Sequence, residues 1–413
     1  MVLSSSIGYA QPDRKALEQA YIGQIVKDLP TPACILNRTK VKDNCDAMLS
    51  NAESLGVGFR AHIKTHKTLE GVRLQLGSSN HGKIIVSTLM EAYSCLPLVE
   101  EGLVHDILYG LPVAPSKIPE LAELATMMPY LRLMMDSEAQ LDALIAHSRA
   151  RPDTKKWSVF VKVDCGTHRA GLPTNSSALQ SLISYLLAPE VSQFVDIYGF
   201  YCHAGHSYHD TSTGSAKETL FAEITSADAA AKYALSVLKS EDTSRFVISV
   251  GATPTAHASH AVKKAELPAV SGALELHAGC YGFCDLQQYA TNLIEFEDIS
   301  IRVLAEVVSQ YDERDEMLIN AGCIALSRET GPIPGYGNVC GSATGWTVGR
   351  ISQEHGILTR CDKSATMTPV GQKVLIVPQH ACITGASYEW YYIVEESGLN
   401  AKVVDVWIRF NGW

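Results

Sequence analysis

Apolar residues fall into two rhythms along this chain. Between residues 59 and 277, short apolar runs recur: 59–64 (FRAHIK), 83–87 (KIIVS), 106–109 (DILY), 131–135 (LRLMM), 158–163 (SVFVKV), 196–202 (DIYGFYC), 246–250 (FVISV) and 274–277 (LELH). Their length and β-branched content predict strands. Most are separated by longer stretches with helical apolar spacing, such as 89–101, 137–150 and 217–239. Eight strand–helix units in succession predict an α/β fold built as a (β/α)8 TIM-type barrel. From 299 onward the rhythm changes. The runs 299–309, 316–320, 373–377, 389–394 and 402–410 follow one another without long helices, and Pro332, Pro334, Gly335, Gly337 and Gly341 punctuate them. That pattern predicts a mainly antiparallel β domain. Ahead of the barrel, Leu17, Tyr21 and Ile25 at spacings of four predict a helix over 12–28, ended by Pro30 and Pro32, and 33–36 (CILN) reads as a strand. The division expected is therefore 1–36, a helix and strand packing with the β domain; 37–285, the barrel; and 286–413, the β domain.

Composition narrows the function classes. With 46% apolar and 19% charged residues among 413, the chain has material for a large core. Its 34 basic and 44 acidic residues leave a net charge of -10, which argues against nucleic acid or an anionic membrane surface as a partner. No apolar run approaches the ~20 residues that span a bilayer. The opening MVLSSSIGYAQPDRKALEQ has no basic segment followed by an apolar one, so a cytoplasmic location is expected. Eleven cysteines at irregular spacing fit reduced thiols better than a disulfide framework.

Five segments carry candidate chemistry. In 60–68 (RAHIKTHKT), a strand would place His62, Lys64 and His66 on one face. At the C-terminal mouth of a barrel, a lysine such as Lys64 is placed to form a Schiff base; a solvent-facing basic turn is the alternative, and Lys67 the competing amine. In 162–173 (KVDCGTHRAGLP), Arg169 follows a strand and a glycine turn, suited to a phenolate, carboxylate or phosphate, or to a neighbouring acid. In 198–209 (YGFYCHAGHSYH), His203, His206 and His209 accompany Tyr208; hydrogen bonds to a cofactor or substrate suit them better than metal ligation. The segments 249–255 (SVGATPT) and 277–282 (HAGCYG) bring Thr253, Thr255, Gly279, Cys280 and Tyr281 to the seventh and eighth strands, where barrels often bind phosphate. In 378–382 (PQHAC), His380 and Cys382 would point the same way, as a packed pair or as Zn²⁺ ligands.

In their joint order, H-I-K-T-H-K, V-D-C-G-T-H-R-A-G, Y-C-H-A-G-H-S-Y, V-G-A-T-P-T, H-A-G-C-Y-G-F-C-D-L-Q and H-A-C resemble the eukaryotic D-serine dehydratases. These belong to the alanine racemase-like, fold-type III pyridoxal 5'-phosphate (PLP) enzymes, to which D-threonine aldolase is related. The resemblance implies that Lys64 is the Schiff-base lysine and base. It implies that Arg169 lies at the ring hydroxyl or the substrate and Tyr208 near the ring, and His62 and His203 stand beside them as cofactor-binding candidates. Thr253, Thr255, Gly279, Cys280 and Tyr281 are implied at the phosphate, although relatives often carry Asn where Cys280 stands. His380 and Cys382 are implied as ligands of Zn²⁺. The activity implied is elimination of water from a small-molecule substrate, D-serine, giving pyruvate and ammonia, by a homodimer. Zinc has a physical purpose there, because it brings bound water from a pKa of 15.7 to about 7. That difference is worth up to ~10 kcal/mol to a departing hydroxide. The same residues would also serve a D-threonine aldolase or a D-threo-3-hydroxyaspartate dehydratase, and a non-catalytic PLP carrier would need only the lysine and phosphate loops.

Overall fold

A computed structural model describes residues 11–77 and 81–413. The strands are β1 (Ala33–Asn37), β2 (Gly58–His62), β3 (Lys83–Val86), β4 (Asp106–Pro112), β5 (Tyr130–Met135), β6 (Trp157–Asp164), β7 (Leu172–Pro173), β8 (Val195–Cys202), β9 (Val247–Val250) and β10 (Ala273–Ala278). They continue as β11 (Ile301–Tyr311), β12 (Glu316–Ile319), β13 (Gly337–Cys340), β14 (Trp346–Ile351), β15 (Gly356–Arg360), β16 (Lys373–Pro378), β17 (Trp390–Val394) and β18 (Asp405–Ile408).

Strands β2–β6 and β8–β10 pair in parallel, in the order β5-β4-β3-β2-β10-β9-β8-β6, and β5 also pairs with β6. The sheet thus closes into the eight-stranded barrel, and each of the eight strands falls on one of the apolar runs. Several helices begin where a Ser or Thr after a strand supplies the missing acceptor. Thr68 accepts from Gly71 N–H, Thr88 from Glu91 N–H, Ser176 from Leu179 N–H and Ser212 from Ser215 N–H, each at 3.1–3.2 Å. The 89–101 stretch divides into Leu89–Ser94 and Leu96–Glu100, with Pro97 near the start of the second helix.

The second sheet has the order β12-β15-β14-β13-β16-β11-β1-β17-β18, and the additional β11–β12 pairing closes six of its strands into a smaller antiparallel ring. β1 joins this sheet, antiparallel to β11 and parallel to β17. Three of its strands, β13, β14 and β15, lie where no strand was expected. They are short, and glycines interrupt their apolar residues. A Cβ on Gly337 would come within 2.7 Å of Ile376 Cγ2, so this strand packs through a missing side chain that hydropathy does not register. The leading helix is also shorter than expected, Arg14–Tyr21, because Gly23 takes φ +89° well before the prolines.

The barrel floor is ionic. Arg60, fully buried on β2, donates from Nη1 to Asp106 Oδ1 at 2.6 Å and from Nε to Glu275 Oε1 at 2.8 Å. Arg132 reaches Asp106 at 3.1 Å and Lys83 reaches Glu275 at 3.0 Å. Above this floor, Ile85, Leu108, Met134, Phe160 and Tyr201 fill the interior. Replacing Arg60 with Ala would strand two buried carboxylates. R60A is expected to lose about 3–5 kcal/mol, read by urea unfolding; a loss below about 1 kcal/mol would show that the floor does not hold the barrel.

Candidate active site

β2 ends at His62, and the chain turns there. Lys64 therefore lies in a turn above the barrel and lines a cavity of about 600 Å³ at the C-terminal mouth. Strand alternation stops with it: His66 folds away, buried, with its ring nitrogens on Gln75 Oε1 at 2.9 Å and Thr68 N–H at 3.1 Å. Lys67 is also removed, paired with buried Glu91 at 2.8 Å. Only His62 and Lys64 of this segment reach the cavity.

Arg169, His203, Tyr208, Thr253 and Gly279 share the cavity wall with them. Each is set by its own loop. Asp164 accepts the N–H groups of Gly166 and His168, shaping the turn that carries Arg169. His203 Nδ1 meets Gly251 O at 2.8 Å. Tyr208 sits on a short 3-10 helix, Gly205–His209. Thr253 Oγ1 accepts from Cys280 N–H at 3.1 Å and so ties the two glycine loops together. No carboxylate pairs with Arg169 among the described residues.

Three side chains implied at the phosphate are not on the cavity wall. Thr255 Oγ1 accepts from Ala252 N–H at 2.8 Å and also contacts Ala252 O, closing its own loop. Cys280 Sγ donates to Asp285 Oδ2 at 3.3 Å. Tyr281 is buried against Phe59, edge to face at 5.5 Å, with its hydroxyl beside Cys45 and Gln75. The local reason is the tight 3-10 turn Cys280–Gly282, which swings both side chains off the strand direction. His206 and His209 are exposed; His206 meets Thr167 Oγ1 at 3.0 Å, and His209 faces an outer chamber.

Two cavity residues gave no separate signal. Lys162 is buried, with its ammonium 4.2 Å from the centre of the Tyr201 ring; burial, reinforced by Arg169, pushes its pKa down to about 8. His277 stacks on Tyr201 at 4.0 Å. Ser249 gives its one proton to Glu275 Oε1 at 3.0 Å, so the contact at 3.1 Å with His277 requires Nδ1–H as donor. His277 Nε2 is then an acceptor, and it is buried without a partner. Burial, with the neighbouring cations, holds the pKa of His62, His203 and His277 well below the usual range, so these rings are neutral. The signal for Lys162 and His277 was strand alternation: each sits two residues from an inward-facing partner.

His380 and Cys382 follow β16 and face the barrel from the β domain. A chamber of about 310 Å³ is lined by Lys64, Arg169, His203 and Tyr208 on one side and by Glu329 and His380 on the other. Thr65 Oγ1 lies 3.1 Å from Cys382 Sγ. Asp285 joins the two halves: Oδ2 accepts from Ala381 N–H at 2.8 Å and Oδ1 from Gln288 N–H at 2.9 Å. The Cys382 thiol is pulled well below its usual pKa by the adjoining Cys280 thiol and by His380, whose own pKa is raised to about 9 by Cys382, Asp285 and Glu329 against the cost of burial. A thiolate beside an imidazole is a soft, anionic donor pair suited to zinc. Among the described residues no third His, Cys, Asp or Glu completes a metal cluster. A metal held here would keep positions open for water or substrate.

The residues also fit PLP. The cavity is lined by two amines and a guanidinium for an anion, glycines 251 and 279 leave space beside Thr253, and His277 Nε2 lacks a donor. Gly251, at φ +144°, could not carry a side chain: a Cβ would lie 2.1 Å from His277 O. G251A is therefore expected to lose about 1–3 kcal/mol and to weaken PLP binding, measured by urea unfolding and by cofactor titration. Unchanged values in both would refute the tight approach.

A family model described as alanine racemase, N-terminal domain, matches residues 36–261, and one described as a putative serine dehydratase domain matches 300–394. The chain is 45% identical to the D-serine dehydratase of Schizosaccharomyces pombe over 99% of its length and 98% of that protein. It is 38% identical to the D-serine dehydratase of Saccharomyces cerevisiae, covering 95% and 98%. Among solved structures, D-threo-3-hydroxyaspartate dehydratase from Delftia sp. HT23 superposes with a TM-score of 0.80 at 28% identity, covering 94% of this chain and all of that one.

Proposed function

We propose, for a chain that belongs to the D-serine dehydratase family of alanine racemase-like enzymes, a PLP- and zinc-dependent lyase that eliminates water from D-serine to give pyruvate and ammonia. The observation that carries it is the shared chamber: the barrel's Lys64 amine and the β domain's His380 line one space. When bound, PLP supplies an electron sink at the substrate's Cα, and zinc supplies a Lewis acid for the departing oxygen.

Lys64 would hold the cofactor aldehyde, and its amine would be placed to take the substrate's Cα proton. Arg169, without an acidic partner among the described residues, would hold the ring oxygen or the substrate carboxylate. Lys162, pushed down to about 8 by burial, adds a second cation beside Arg169. Thr253 and the backbone around Gly251 and Gly279 would receive the phosphate, and His277 Nε2 would accept from the protonated ring nitrogen. His380 and Cys382 would hold zinc on the β-domain side, opposite the cavity that holds the ring. Neutral His62 and His203 keep the amine's surroundings from gaining further charge.

Product analysis tests the reading. Purified protein with PLP and zinc should release pyruvate from D-serine and little from L-serine. Glycine from D-threonine would instead support an aldolase. K64A should lose the visible absorbance of bound cofactor and at least ~100-fold in pyruvate release. C382A should retain cofactor absorbance and lose turnover, as should metal removal by a chelator. Turnover indifferent to both would remove zinc from the reading.

A further inference from the structure

His380 Nδ1 is buried and makes no hydrogen bond among the described residues, yet one carboxylate oxygen faces it: Glu329 Oε2, at 3.6 Å. That distance lies within ion-pair reach and just outside the ~2.7–3.2 Å of a hydrogen bond, so a small side-chain rotation closes it. The loop carrying Glu329 is pinned to both halves of the site. Glu329 N–H donates to Ser327 Oγ at 3.2 Å. Thr330 O accepts from Gln287 Nε2 at 2.8 Å, on the barrel side. Gln379, the residue before His380, donates from Nε2 to Ile333 O and Gly335 O at 2.8 Å. A Cβ on Gly331 would lie 2.9 Å from Gln379 Oε1, so the loop runs close against that side chain. The Glu329 backbone is thereby fixed relative to the imidazole it faces.

We propose that Glu329 is a positioning residue for His380, its carboxylate accepting the Nδ1–H so that Nε2 is the nitrogen turned to the metal. A metal-ligating histidine commonly donates its other N–H to a carboxylate, which fixes the tautomer and ring orientation and raises the basicity of the ligating nitrogen. Cys382 is oriented separately, by Thr65 and by the Asp285 contact to Ala381 N–H, so the two ligands are set by different loops. This proposal rests on the reading of His380 and Cys382 as the metal pair.

Competition of zinc and of cobalt(II) against a chelator, on the PLP-loaded full chain, tests it in wild type, E329Q and E329D. E329Q should bind both metals about 10-fold more weakly, with E329D recovering part of the loss. In E329Q, the absorbance of bound PLP and the cobalt–thiolate charge-transfer band should persist. Equal affinity in wild type and E329Q, or a change confined to KM for D-serine, would overturn the proposal alone. Loss of the thiolate band in E329Q would also overturn it, because the site and not its orientation would then be gone. Wild-type protein that binds neither metal would overturn the metal reading and this proposal together.

Discussion

Two amines and a guanidinium, Lys64, Lys162 and Arg169, line one cavity inside a closed barrel, and no carboxylate on its wall is paired with Arg169. Taking cations out of water is costly unless something offsets it. The protein offsets part of the cost by leaving its imidazoles neutral and by lowering the pKa of Lys162 to about 8. The remainder calls for an anion. A dianionic phosphate with a phenolate oxygen, or an amino acid carboxylate, meets that demand. Asp136 on the same wall supplies one carboxylate, and three cations against it would favour such an occupant.

The floor beneath works by the opposite rule. Arg60, Arg132 and Lys83 are matched there by Asp106 and Glu275, with short contacts and little exposure. Breaking such a network is costly, whereas its presence says little about net stability. Its use here is geometric. Glu275 fixes Ser249, and Ser249 fixes the tautomer of His277, so a charge at the bottom of the barrel decides which nitrogen faces upward. The β domain borders the cavity from outside, and Asp285 links the two. It caps a short helix after the last barrel strand and holds the backbone of the His380–Cys382 turn.

Much of this was legible in the chain. The eight apolar runs became the eight barrel strands because a parallel strand covered by helices is apolar on both faces, and its run stands out. Lys64, Arg169, Tyr208 and Thr253 were singled out because each follows a strand or a glycine turn at the barrel mouth, and His380 because it follows an apolar strand; the fold brings all five to connected cavities. The strands β13–β15 were not legible: glycines and alternating polar residues break their apolar signal. Alternation misplaced His66, since it holds only while the strand lasts, and β2 ends at His62. Thr255 and Tyr281 have the right residue types in the right loops, but tight turns direct their side chains elsewhere.

Local pattern alone determined the succession of barrel units, the β segment after it, and the presence of an amine, a guanidinium and a histidine–cysteine pair in loops after strands. Those depend on the periodicity and chemistry of nearby residues, which a linear chain displays. The tertiary structure decided which side chains meet. It brought position 64 and position 380 to one chamber, set Glu329 3.6 Å from His380 Nδ1, and removed Lys67 into a salt bridge. Contacts between residues hundreds of positions apart follow from barrel closure and domain packing, and no local spacing encodes them.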